Sequence, residues 1–141
     1  MGRLRTRGAL SLAAVGLLVT GAGPIGLLAA MLAKQRGCEL HVLDHAGSGP
    51  KPELVRALGA TYHNGALDGL EPDLVIECTG VTSVILDAVA RVKSANPDAV
   101  YACDPVMGNA KSGCFVAPAI PILLRERVVP AADIITPNHF E

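Results

Sequence analysis

Three glycines and one acid have the types and spacing to do chemistry in this sequence. Gly21, Gly23 and Gly26 form a G-x-G-x-x-G run directly behind the apolar, partly β-branched stretch 17–20, and Asp44 closes a second apolar stretch, 40–43. The three glycines differ in physical role. Gly21 permits a tight turn, Gly23 lets a diphosphate approach the backbone, and Gly26 lets a helix lie close to a strand. Pro24, with Ile25 behind it, stands at the start of a helical pattern, where a missing N–H costs nothing. The free N–H groups and positive dipole end of such a helix stabilise an anion without a charged side chain. Asp44 is placed to accept hydrogen bonds from an adenosine ribose. The chemistry indicated is binding of a dinucleotide, NAD or NADP. The plainer alternative is a tight βα turn without a ligand and a solvated strand-end carboxylate.

Elsewhere the reactive residue types give weaker signals. Asp104 follows the strand pattern 99–103, and an acid at the C-terminal end of a parallel strand points into the ligand crevice of an open sheet. Cys38, Cys78, Cys103 and Cys114 form no C-x-x-C pair and have no histidine at ligand spacing, so neither a zinc site nor a disulfide framework is indicated. Reduced thiols of a cytoplasmic protein fit this usage, with Cys78 and Cys103 as small buried hydrophobes. His41 and His63 read as surface or strand-edge residues, and no residue is nominated as catalytic.

Positioning the glycines and the acid takes a βαβ framework. The helix opening at Pro24 is stopped by Gly37, and its packing face reads as Leu27, Leu28, Met31 and Leu32. After the loop 47–50 come a short helix 52–58 stopped by Gly59, a weak strand 60–63, and a strong strand 74–78 ending in Thr79-Gly80. Within 81–97, Ile85, Ala88, Val89 and Val92 recur at helical spacing while Asp87, Arg91 and Lys93 lie off the stripe, which predicts a crossover helix stopped at Asn96-Pro97. A buried strand 99–103, a glycine-containing loop 106–113, a helical pattern 122–128 crowded at its start by Pro118 and Pro121, and a last strand 134–136 complete the chain. This order predicts an α/β fold: a doubly wound, Rossmann-like parallel sheet in a single truncated domain, with strands in the order 3-2-1-4-5-6. Strand 134–136 is expected as an edge without a neighbour, and hence as a route to self-association.

Composition agrees with that framework. The chain has 141 residues, half of them hydrophobic, with no Trp, two Phe and two Tyr, so the core must be built from Ala, Val, Leu and Ile. A net charge of −1 without a sustained basic run lacks the electrostatic footprint of a nucleic-acid binder. Arg3, Arg5 and Arg7 precede an uncharged run, 8–33, that is long enough to cross a bilayer. Gly16, Gly21, Gly23, Pro24 and Gly26 interrupt that run in the pattern already explained, so no membrane role is expected.

Two resemblances add to this reading. The segments GAGPIGLLAAMLAKQRG, HVLD, GPKPELVRALGATYH and DLVIECTG resemble the cofactor domain of medium-chain, zinc-type dehydrogenases, nearest the glucose 1-dehydrogenases, over about residues 15–80. The resemblance implies that the loop from Gly21 to Gly26 cradles a pyrophosphate, that Asp44 lies at the ribose, and that Thr79-Gly80 lines the cofactor cleft. Asp44 would favour NAD by repelling the 2′-phosphate of NADP, a preference that His45 or Lys51 could soften. In that family the catalytic zinc ligands and most sugar-binding groups belong to a preceding domain, which has no counterpart in this sequence.

The stretch 86–141 is similar to the middle of bacterial pyridoxal kinases, of the ribokinase-like superfamily, through C-D-P-V-M-G and D-I-I-T-P-N-x-x-E. That similarity implies Asp104 near the ATP phosphates and metal, Thr136 bordering the nucleotide site, and Asn138 with Glu141 organising Mg²⁺ and the phosphates. Hard Mg²⁺ suits such oxygen ligands. Asn109 stands where some relatives carry a second acid, and the loop around Cys114 is expected as a flap. Glu141, as the last residue, is expected to fray. The family's glycine-rich anion hole and catalytic aspartate are expected beyond residue 141.

The organisation expected is therefore a dinucleotide-binding half over 1–80, a crossover helix at the seam over 81–97, and a partial kinase-like segment over 98–141. Three readings stand side by side. One is a nucleotide-binding fragment that catalyses nothing. Another is a dehydrogenase or a pyridoxal kinase completed by another chain, with ATP and Mg²⁺ only under the kinase reading. The third is a mis-joined reading frame without evolved function.

Overall fold

The computed structural model describes residues 15–67 and 69–141, and the chain divides into two compact units at the step from Thr79 to Gly80. The first unit contains β1 (Gly16–Thr20), α1 (Pro24–Gln35), β2 (Glu39–Asp44), α2 (Pro50–Ala57), β3 (Thr61–Asn64) and β4 (Leu74–Glu77). Its four strands are all parallel and lie in the order β3-β2-β1-β4. This is the Rossmann-like arrangement the sequence predicts, and β1 sits at its centre because it pairs with both β2 and β4.

Side chains alternate across the sheet, so Leu17 and Val19 share one face with Leu40 and Val42. These four join Ala30 and Ala33 of α1 and Val55 of α2 in one buried core. Both helices end where the sequence places a glycine: Gly37 and Gly59 adopt φ of +80° and +69°. Cys38 N–H then bonds back to Ala33 O and Ala60 N–H to Val55 O, which satisfies carbonyls that the helix ends would orphan.

The packing face expected of α1 needs correcting. Leu28, Met31 and Leu32 are exposed, and the helix turns Gly26, Ala30 and Ala33 to the sheet, with Leu27 and Ala29 at the margin. Contact at Gly26 is too close for a large side chain, so the small-residue stripe wins over the leucine stripe.

The second unit contains α3 (Thr82–Ala95), β5 (Ala102–Cys103), β6 (Gly108–Asn109), β7 (Gly113–Cys114), α4 (Ala119–Leu123), a π-helical turn (Leu124–Val128), a 3-10 turn (Val129–Ala131) and β8 (Ile134–Ile135). Its core is Cys103, Leu124 and Val128, packed by Ile85, Tyr101, Met107, Ile120, Leu123 and Ala132. On α3, Ala88 is buried, Ile85, Val89 and Val92 are half-buried, and Asp87 and Arg91 are exposed, as the spacing predicts.

One continuous six-stranded ladder is not formed. β5 pairs in parallel with β8 in a two-stranded sheet of its own, so α3 leads from one sheet into another, and strand 134–136 has a neighbour after all. The physical reason lies in what surrounds β5. Asp133 N–H and Ile134 N–H both bond to Tyr101 O, Thr136 N–H bonds to Cys103 O, and Asp133 Oδ2 accepts Tyr101 N–H at 2.8 Å. Upstream, Ala99 N–H closes a turn onto Asn96 O, and Val100 is 66% exposed, which shortens the expected strand 99–103 to two residues.

The loop 106–113 likewise carries an unforeseen hairpin, β6 with β7. Asn109 Oδ1 caps its turn by accepting Lys111 N–H and Ser112 N–H, so this residue shapes the loop. Cys103 is buried as expected, whereas Cys78 is only half-buried. Burial pushes both thiols above their ordinary range, and the charge of Glu77 adds to the effect at Cys78. No helix among the described residues is long and apolar enough to cross a membrane. The three N-terminal arginines and residues 8–14 of the uncharged run lie outside the described residues.

Candidate functional site

The loop from Thr20 to Pro24 joins the central strand to α1, and its geometry follows from three glycines that differ in what surrounds them. Gly21 has φ +92°, and a Cβ placed there would lie 3.1 Å from Thr79 Cγ2 and 3.2 Å from the Cys78 carbonyl. A Cβ on Gly26 would stand 1.8 Å from Gly21 O, inside any permitted contact. At Gly23 the same construction meets nothing within 4 Å. Two glycines are therefore demanded by the chain itself, while the third opens a space.

Backbone donors around that space divide in the same way. Gly21 N–H bonds to Leu43 O at 2.7 Å and Ala22 N–H to Asp44 Oδ2 at 2.7 Å, which fixes the turn against β2. Leu27 N–H closes the first helical bond onto Gly23 O. Pro24 occupies the first turn without an N–H, and the amides of Gly23, Ile25 and Gly26 lie where no helix carbonyl precedes them. Such donors, at the positive end of a twelve-residue helix, suit a diphosphate. The Ile25 side chain is 70% exposed beside them.

Asp44 is more deeply engaged than a solvated strand-end acid. Its side chain is 4% exposed, and besides Ala22 N–H it accepts Ala46 N–H at 3.0 Å and the Lys51 ammonium at 2.9 and 3.2 Å. Burial alone would raise its pKa, but the hydrogen bonds from Ala22, Lys51 and Ala46 and the Lys51 charge prevail and hold it at about 2. Tyr62 supports the same corner by donating its hydroxyl to Ala46 O at 2.6 Å. Of these donors Lys51 is a mobile side chain, 38% exposed, whereas Ala22 and Ala46 are fixed by the backbone.

Thr79 packs directly against Gly21, at the end of β4. Its N–H donates to Glu77 Oε1 at 2.6 Å, its hydroxyl makes a second bond to that oxygen, and Thr20 Oγ1 adds a third at 3.2 Å. Glu77 thus ties the ends of β1 and β4 together. The sequence offered one signal for this role: an acid closing the otherwise apolar run 74–76. Gly80 opens the second unit with φ +64°.

In the second unit, the four residues singled out at 104, 136, 138 and 141 gather around the loop 104–108. Thr136 Oγ1 donates to Asp104 Oδ1 at 3.2 Å, and Asn138 Nδ2 donates to Gly108 O at 2.9 Å. Glu141 is not frayed. Its Oε1 accepts Met107 N–H at 2.8 Å and Gly108 N–H at 3.3 Å, and its Oε2 accepts Asn138 N–H at 3.1 Å. The Met107 and Asn138 bonds outweigh desolvation and hold this carboxyl below the usual glutamate range. A cation at Glu141 would share its carboxylate with those donors, and among the described residues no group of three His, Cys, Asp or Glu side chains is arranged to hold a metal.

Comparison with known proteins fits both halves of this geometry. The family described as "Glucose dehydrogenase C-terminus" matches residues 3–109. Among curated proteins, the pyridoxal kinase of Leifsonia xyli subsp. xyli is 79% identical over 62 residues, covering 44% of this chain and 22% of that protein. The pyridoxal kinase of Rubrobacter xylanophilus is 42% identical over 137 residues, covering 84% of this chain and 47% of that protein. The chain thus spans less than half the length of either relative. A solved alcohol dehydrogenase from Escherichia coli CFT073, complexed with NADH, superposes with a TM-score of 0.56 at 20% identity, over 92% of this chain and 37% of that one. At that identity the likeness speaks for the fold. Similarity to the C-terminal region of glucose dehydrogenases and similarity to pyridoxal kinases meet in one chain.

Proposed function

Because the chain belongs to the glucose dehydrogenase C-terminus family, we propose that its first unit binds a nicotinamide dinucleotide, NAD(H) or NADP(H), as the cofactor half of a glucose- or alcohol-type dehydrogenase. On this reading the chain binds the cofactor and does not by itself complete hydride transfer. The observation that carries the reading is the open space at Gly23 between two glycines that the fold itself requires. A diphosphate lying over Gly23 would take the amides at the start of α1, with the helix dipole favouring its charge. The solved dehydrogenase of the same fold is complexed with NADH, which supports this choice of ligand. The nicotinamide supplies the hydride chemistry when bound, while residues 21–26 and Asp44 hold and orient the cofactor. Lys51 beside Asp44 is a cation at the ribose end of the site, so a 2′-phosphate is tolerated as well.

Calorimetric titration of the full chain with NADH tests this. Binding is expected in the wild type, and Gly23→Val should weaken it at least about tenfold, because its branched side chain fills the diphosphate space. Thermal stability of the variant should stay near wild type, since that space is otherwise empty. Equal affinity in the two proteins would remove the proposal.

A second reading, ATP-dependent phosphorylation of pyridoxal by a kinase of which this chain forms part, is favoured by the gathering of Asp104, Thr136, Asn138 and Glu141 around one loop. It predicts ATP-Mg²⁺ binding that Asp104→Ala abolishes. No binding at millimolar ATP would count against it.

A further inference from the structure

Outside the glycine loop and the loop held by Glu141, one pair of ligand-type side chains has no assigned role. His41 of β2 stands opposite Thr61 and His63 of β3 stands opposite Leu43, so the two imidazoles are diagonal neighbours on one face of the sheet. His41 Nδ1 lies 3.0 Å from His63 Nε2, and the ring centroids are 5.2 Å apart. The His41 side chain is only 14% exposed, and Glu39 Oε1 lies 3.7 Å from its other nitrogen, Nε2.

The geometry points to a two-histidine site for a divalent transition ion of the Ni²⁺, Cu²⁺ or Zn²⁺ type, bridging β2 and the edge strand β3. Two imidazole nitrogens bound to one ion at about 2.05 Å lie about 2.9 Å apart at a right angle and about 3.4 Å apart at the tetrahedral angle. The observed 3.0 Å is a hydrogen bond between the rings and also falls within that window, so the strands hold the nitrogens at a ligand spacing, and the ring axes must turn by about 35–45° to aim at a common ion. Imidazole selects Ni²⁺, Cu²⁺ and Zn²⁺ over Mg²⁺ and Ca²⁺, which prefer oxygen. Glu39 Oε1, exposed and at 3.7 Å beyond hydrogen-bond reach, biases His41 weakly toward hydrogen on Nε2 by its charge alone.

No proton need leave on binding. In the free protein one proton lies between the two nitrogens, for the tautomer in which His63 Nε2–H donates to His41 Nδ1; on binding, His63 shifts that hydrogen to its own Nδ1 while His41 keeps one at Nε2. Among the described residues no third His, Cys, Asp or Glu completes the set, so water would fill the remaining positions. The site is independent of dinucleotide binding.

The test is a titration of the untagged full chain with NiCl₂ near neutral pH, with MgCl₂ as control. Binding of one equivalent of Ni²⁺ is expected, with a rise in melting temperature, and no response to Mg²⁺. His63→Gln should weaken Ni²⁺ binding at least about tenfold and cancel the rise, while His45→Gln and His139→Gln leave both unchanged. In the wild type, paramagnetic broadening by Ni²⁺ must strike the His41 and His63 ring resonances first, a readout that does not depend on a variant folding. Absence of binding in a cooperatively folded chain, affinity unchanged by His63→Gln, or broadening centred on His45 or His139 would each overturn the inference.

Discussion

Asp44→Asn removes the charge from a buried carboxylate that three groups of its own chain hold in place. The folded pKa of about 2, against an ordinary 3.8, corresponds to about 2 kcal/mol of stability at neutral pH. Because the folded value is the lower one, the unfolded chain binds the proton more readily. This stability is therefore fully present above pH 3.8 and lost as the pH falls through about 2. Roughly half of it should remain near pH 3. The asparagine must also turn its amide NH₂ toward one of the donors from Ala22, Ala46 or Lys51, which leaves that donor unpaired. The combined cost at neutral pH is about 3–5 kcal/mol, in line with breaking one partner of a buried pair. The assay is urea unfolding followed by Tyr62, whose hydroxyl is bonded to Ala46 O, in a Tyr101→Phe background that leaves one tyrosine. The gap between wild type and Asp44→Asn should narrow by about 1 kcal/mol on going from neutral pH to about pH 3 in a stabilising concentration of sucrose. A gap that stays constant or widens in acid would refute the assignment of the low pKa to this network.

The remaining predictions concern the other two anchor points. Gly26→Ala should cost at least about 1–3 kcal/mol in urea unfolding, since its Cβ would stand 1.8 Å from Gly21 O and α1 must retreat. Gly23→Ala, the same chemical change in open space, should stay within about 0.5 kcal/mol of wild type. Glu141→Gln should speed hydrogen exchange at the amides of Met107, Gly108 and Asn138, because a neutral amide oxygen cannot replace both oxygens of the carboxylate. Unchanged protection at all three would show that the chain end does not hold this loop. In wild type the same release should occur in acid, at a pH below the ordinary glutamate range.

The glycine spacing made β1, α1 and β2 legible because each glycine answers a local demand: a positive φ, a close approach, an open space. Helix stops at Gly37 and Gly59 were legible for the same reason. The orientation of α1 was not, since a count of apolar residues favours the leucines, whereas the closeness of Gly26 to Gly21 forces the small stripe inward. The end of the expected sheet was misread because a run such as 99–103 announces a strand but not its partner. Backbone bonds from 133–136 decide that pairing from about thirty positions away. Asp44 was placed correctly at the strand end, but the donors that surround it, Ala22, Ala46 and Lys51, come together only through the turn geometry. His41 and His63 looked like unrelated strand residues, and strand register alone makes them neighbours.

The division at Thr79 and Gly80 gives each unit a core of its own, and the two are unequal. Among the described residues the first gathers nine buried side chains around β1 and β2, and the second gathers three, Cys103, Leu124 and Val128. Each core is a contiguous interior of the kind that opens as one piece, and amide exchange reports each of them by itself. The smaller interior has fewer buried contacts to break, so amides around Cys103 are expected to exchange sooner than those of β1.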